Sequence, residues 1–181
     1  MVSPAASSPP TLLQTTVVEI EQHVARSGWD RPPTLFALVD TADLVRREPA
    51  LARVLGLADP AGTPSLTPIE QEPLGDGPLD ESLAAIAWPN EVLGCALAHE
   101  VLVLPPSAEQ GGGPLPRTAD WAATHPDRRE VRMVVGVLRD GERASALRVR
   151  SAGGDPTPVD DVLVGTDLTP NLAEALLATL S

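Results

Sequence analysis

No lysine and no tyrosine occur in these 181 residues, and cysteine occurs once, at Cys95. Without an ε-amino group there is no P-loop, no pyridoxal Schiff base and no kinase strand lysine, and the Tyr and Lys pairs of many reductases are equally excluded. A single thiol leaves no intramolecular disulfide. The opening MVSPAASSPP lacks the charged and apolar regions of a secretory signal, and no apolar run approaches the ~18 residues of a membrane span. A reducing cytoplasmic setting and no membrane insertion are therefore expected. Aromatics are scarce as well, being Trp29, Trp88, Trp121 and Phe36. So few rings cannot build a base-stacking platform, and a formal net charge of −12 repels phosphate backbones, so nucleic acid is not an expected partner.

What is present suits one globular domain with an aliphatic core: 43% hydrophobic residues and a mean hydropathy of +0.01. Residues 1–10 carry no charge and little apolar bulk, so a disordered tail is expected there, with a single α+β domain over 11–181. Leu13, Val17, Ile20 and Val24 recur at helical spacing, and Gly28 follows at a stop position. The continuously apolar 35–39 reads as a strand covered on both faces. Asp40 or Thr41 caps a helix that breaks before a second segment opened by Pro49. Residues 57–78, rich in proline and glycine, read as a long loop. A helix over 79–87 must end before Pro89, and 92–104 reads as a strand in which Gly94 marks a bulge or close approach. A second loop over 105–116 leads to a short helix at 119–124.

Residues 130–138 and 143–150 form a hairpin. A two-residue Asp140-Gly141 loop would mix valines and arginines on each face. A three-residue loop of Arg139, Asp140 and left-handed Gly141 segregates them, with Val131, Met133, Val135 and Val137 on the face of Leu147 and Val149. A short strand at 162–164 and a helix opened by Thr169 and Pro170, buried through Leu172, Leu176 and Leu180, close the chain. The expected fold class is two-layer α+β, an antiparallel or mixed sheet of four to five strands with helices packed largely on one face.

Chemistry-bearing residues are thinly spread. His23, His99 and His125 fall on separate elements with no metal-ligand spacing, so neither metal nor cofactor is expected. Cys95 and His99 lie four residues apart, ~13 Å along a regular strand, too far to act as a dyad. Between Gly94 and Ala96 the thiol reads as a buried small hydrophobe. The Gly111 to Gly113 run lacks a flanking strand and helix and reads as linker rather than phosphate cradle.

Two features stand out. Seven of the 13 basic residues fall within 128–150, and the favoured register puts Arg132, Arg148 and Arg150 on one face. Like charges facing one another in a sheet need relief, either from inside the protein, for example from Glu100, or simply from solvent, or from an acidic protein partner or small anion. The second is an acidic 66–72 loop with Glu70, Gln71 and Glu72, a candidate interaction loop or lid.

The strings LFALVDTADLVRREP, LTPIEQE, AWPNEVLGCALAHEVLVLPP, HPDRREVRMVVGVLRDGERASALRVRS and VGTDLTPNLAEALLATL resemble an uncharacterised family of small actinobacterial proteins. The resemblance runs from about residue 11 to the end and implies no activity, cofactor or site. The expected function is a non-enzymatic protein-interaction or regulatory module that homodimerises through its sheet or helices. The alternative is a small-molecule sensor or enzyme whose site lies near the 66–72 loop and strand 92–104, at Glu70, Trp88, Cys95 and His99.

Overall fold

Thr11 starts the first helix by a reciprocal cap: its Oγ1 accepts the Gln14 N–H at 3.2 Å, and the Gln14 side chain accepts the Thr11 N–H at 2.9 Å. The computed structural model describes residues 8–58, 62–75, 77–103, 128–150 and 162–181. The elements within them are α1 (Leu12–Ala25), β1 (Thr34–Asp40), α2 (Thr41–Arg47), α3 (Pro49–Val54), β2 (Leu66–Glu70), α4 (Leu79–Ala84), β3 (Gly94–Val103), β4 (Arg129–Leu138), β5 (Arg143–Val149), β6 (Val162–Gly165) and α5 (Pro170–Thr179). The expected loop at 105–116 and helix at 119–124 lie outside the described residues, as does the tail before Ser8.

The six strands form one open antiparallel sheet in the order β2-β1-β3-β4-β5-β6. The hairpin takes the three-residue loop: Arg132 pairs with Arg148 and Met133 with Leu147, and Gly141 has φ 94°. Asp40 caps α2, its Oδ1 accepting the Asp43 N–H at 2.7 Å, and Pro49 opens α3. Thr169 departs from its expected role, making no side-chain cap; its hydroxyl meets Ser145 Oγ at 3.1 Å.

Among the described residues the sheet has six strands rather than four to five, because part of the expected 57–78 loop is β2. Gln71 N–H donates to Leu35 C=O and Thr41 N–H to Ser65 C=O, so odd-numbered β2 residues bond to β1. Pro68, being even, turns its missing N–H toward the open edge, where a strand tolerates proline. The helices also do not collect on one face. Leu13, Val17 and Ile20 of α1 pack on Phe36, Leu38, Ala96, Ala98, Val134, Ala144 and Ala146, whereas α4 and α5 cover Leu35, Ala37, Cys95, Leu97, Val135 and Val137. The physical reason is that β1 and the first half of β3 are buried on both faces, so each face needs a cover. No described helix is long and apolar enough to cross a membrane.

Small residues set the spacing. On the α1 face, Gly136 lets the helix approach so closely that a Cβ there would lie 2.7 Å from Val17 Cγ1. Gly94 is tighter, since a Cβ would lie 2.2 Å from the Val137 carbonyl oxygen, the close approach its sequence position suggested. Urea denaturation should therefore rank three variants. Gly94→Ala meets backbone and should lose the most, Gly136→Ala about 1–3 kcal/mol through side-chain crowding, and Gly75→Ala, with open space around it, almost nothing.

Candidate functional site

The arginine face expected on the hairpin is met from within. Helix α1 lays Glu21, with 0% of its surface exposed, over the β4-β5 pair. Glu21 Oε1 and Oε2 accept Arg148 Nε at 2.6 Å and Nη2 at 2.7 Å, a two-point fork, and Oε1 lies 3.5 Å from Arg132 Nη1. Arg132, 1% exposed, donates to Glu100 from Nε at 3.2 Å and Nη2 at 3.0 Å, and to the Gly28 carbonyl. The other Glu100 oxygen accepts the Asp30 and Arg31 N–H groups at 2.7 and 3.1 Å, which holds Asp30 at φ 64°. Trp29 lies under Arg132 at 4.3 Å and Arg150 at 5.5 Å, and Arg150 pairs with Asp30 and Glu130. Glu100 was the internal partner the sequence suggested; Glu21, Trp29 and Gly28 were not foreseen. Glu21 stands four residues after Val17, on the flank of the Leu13, Val17 and Ile20 stripe, and its charge made it read as solvated.

Trp88, Cys95 and His99 do not form one site with the acidic segment. Trp88 Nε1–H donates to Thr179 Oγ1 at 3.0 Å, and Cys95 Sγ sits 3.6 Å from the same hydroxyl and 3.7 Å from the Leu176 carbonyl. Burial pushes the Cys95 thiol up to about 11, against weaker lowering by Thr179, Trp88 and Arg139. It stays protonated and unreactive at neutral pH. His99, half-buried with Nδ1 unpartnered, is held below its usual 6.5 by burial, opposed by Glu100. Among the described residues no three His, Cys, Asp or Glu groups gather as a metal site.

Glu70, at the end of β2, is placed differently. Its Oε2 lies 3.1 Å from His23 Nε2, and the His23 ring stands edge-on to Phe36 at 6.4 Å. Glu19, Ile20, His23, Phe36, Leu55, Pro68, Ile69 and Glu70 together line an open groove of about 380 Å³ between α1 and β2. Its floor is apolar; its rim carries two carboxylates and an imidazole. Gln71 turns away, bonding the Ile69 carbonyl at 2.9 Å, and Glu72 is exposed. A second hollow of about 310 Å³ beside α2 has three of its four acids engaged locally: Asp40 caps the helix, Asp43 pairs with Arg46 and Arg47, and Glu91 lies 3.8 Å from Arg47.

A family model described as PPA1309-like protein matches residues 13–181. The chain belongs to the PPA1309-like protein family. That membership agrees with the resemblance carried by the strings above, and no curated protein and no solved structure gives a significant match. Glu19 and His23 offer no motif to a reader of sequence. Four residues apart on a helix, the two look like a solvated flank, and only the fold brings Glu70 opposite them.

Two outcomes follow from this geometry. Glu21→Leu should cost about 3–5 kcal/mol in urea denaturation by leaving guanidinium groups buried without their carboxylate, and Glu21→Leu/Arg148→Leu should recover part of that loss. Stability should also fall at both ends of the pH range. An unfolded His99 protonates below 6.5 while the folded one resists, so stability declines as pH drops through that region. Unfolded Cys95 ionises from 9.0 while the folded thiol holds its proton to about 11, so roughly 3 kcal/mol is lost across that alkaline window. Melting temperatures of Cys95→Ala and His99→Gln against pH should each flatten one limb.

Proposed function

We propose that this protein is a non-catalytic, cytoplasmic binding module whose recognition surface is the groove between α1 and β2. The observation that carries this reading is an open apolar floor rimmed by carboxylates, bordered by the 43% exposed Leu55. Such a surface offers apolar area and orienting charge, the two ingredients of a recognition site. None of the residues lining the groove carries a hydroxyl or thiol nucleophile, so the His23 and Glu70 pair has no such side chain beside it. The one thiol is elsewhere, buried and protonated. The hairpin arginines do not carry the reading, since Arg132 and Arg148 are 1% and 6% exposed and turned to Glu21.

A photo-crosslinking phenylalanine analogue installed at Leu55 tests this in living host cells. A discrete adduct from position 55, absent when the same group replaces Glu81 on the opposite side of the sheet, is the expected result. No adduct, or the same adducts from both positions, removes the groove as a recognition surface.

A further inference from the structure

Resting on the groove reading, we infer the chemistry of its occupant: a basic segment of a protein partner that inserts an apolar side chain between α1 and β2 and sets a guanidinium or ammonium group against Glu19 and Glu70. The argument is one of charge. Glu19 stands on the helix wall and Glu70 on the strand wall, and no arginine lines the groove. Among the described residues, the basic group set against Glu70 is the His23 imidazole at 3.1 Å, and that pair is half exposed at 58% and 51%. An incoming guanidinium presents a fork that an imidazole cannot match, so it competes well for Glu70. An acidic segment would meet two carboxylates and a chain of net charge −12. The same net charge disfavours a second copy of this chain as the occupant.

A peptide fits better than a small free cation for two reasons. The apolar surface does not end at the groove: Leu51, Val54 and Leu55 of the neighbouring α3 segment are 38%, 83% and 43% exposed. A small cation would leave that surface in water, whereas a chain continuing out of the groove covers it. Strand addition is not the mode, because Pro68 removes an outward N–H from the edge of β2. Recognition therefore runs through side chains in the groove rather than through a backbone ladder.

Fluorescence anisotropy on the full chain reads the inference directly. The probes are a labelled short peptide of alternating leucine and arginine, the same peptide with glutamate for arginine, one with serine for leucine, and spermidine as a competing free cation. Glu19→Arg/Glu70→Arg should weaken the leucine-arginine peptide by roughly ten-fold or more. The charge-matched Glu81→Arg/Glu174→Arg, on the other side of the sheet, should change it far less. Loss of leucine should also weaken binding, and spermidine should displace the peptide poorly. Equal loss in both double variants would reduce the effect to net charge and overturn the inference. Tighter binding of the glutamate peptide, lost in Leu55→Arg, would overturn the charge class while leaving the groove reading intact. Spermidine binding as tightly as the peptide would overturn a protein segment as occupant. A groove that binds no probe, together with no adduct at position 55, defeats both readings.

Discussion

The placement of one helix governs this molecule, and one buried carboxylate fixes it. Glu21 has no water around it and two guanidinium groups in front of it. Burying a carboxylate is tolerable only when its charge is met with good geometry, and the Arg148 fork with Arg132 alongside meets it. The apolar stripe of Leu13, Val17 and Ile20 would tolerate small slides and rotations of α1 over the alanine-rich face of β3 and β5. The fork does not. Glu19 and His23 each lie two residues from Glu21, about 200° round the helix. Fixing Glu21 over β5 therefore turns the opposite flank toward β2, and the groove is a consequence of the same constraint.

The interior also decides the sign of the exterior. With no lysine in the chain, every strong side-chain cation is a guanidinium, whose planar donors suit pairing inside a fold. Arg132 and Arg148 serve Glu21 and Glu100, and Arg150 serves Asp30 and Glu130. Arg139 reaches from the hairpin loop to the Val92 and Leu180 carbonyls, tying the end of α5 to the turn before β3. Residues that look in sequence like a basic patch are thus consumed as internal fasteners. The carboxylates they leave unmatched, Glu19 among them, set the character of the open surface.

Periodicity made much of the fold legible. The α1 stripe, the Asp40 cap, the Pro49 start and the three-residue hairpin loop follow from local rules of spacing and backbone geometry, and each is present. Edge strand β2 was hidden because a proline in a short strand looks like a breaker until its neighbour, and so its bonding parity, is known. The two-sided cover was half visible: reading 35–39 as buried on both faces already conflicts with helices on one face. The site was less legible still. Glu70 was a candidate on composition, but Glu19 and His23 gain meaning only through a contact 47 residues apart in sequence. Glu21 follows Ile20 and stands four residues after Val17, so helical spacing puts it on the flank of the buried stripe, but a carboxylate there reads as solvated until its arginine partners on β4 and β5 are known.

The two faces of the sheet divide the labour, and the proposal of a recognition groove rests on that division. On the α5 face, among the described residues, Trp88, Thr179 and Cys95 form a hydrogen-bonded chain against the Leu176 carbonyl, so the thiol is locked in the apolar centre of a packed wall. The α1 face is pinned at β4 and β5 by charge but borders an edge strand at its other margin, where packing ends and apolar side chains meet water. A groove at that margin has a rigid helix on one wall and a proline-blunted strand on the other. Neither wall must move to admit a side chain, and little ordering cost is added when one enters. That combination suits the preformed binding proposed for this groove.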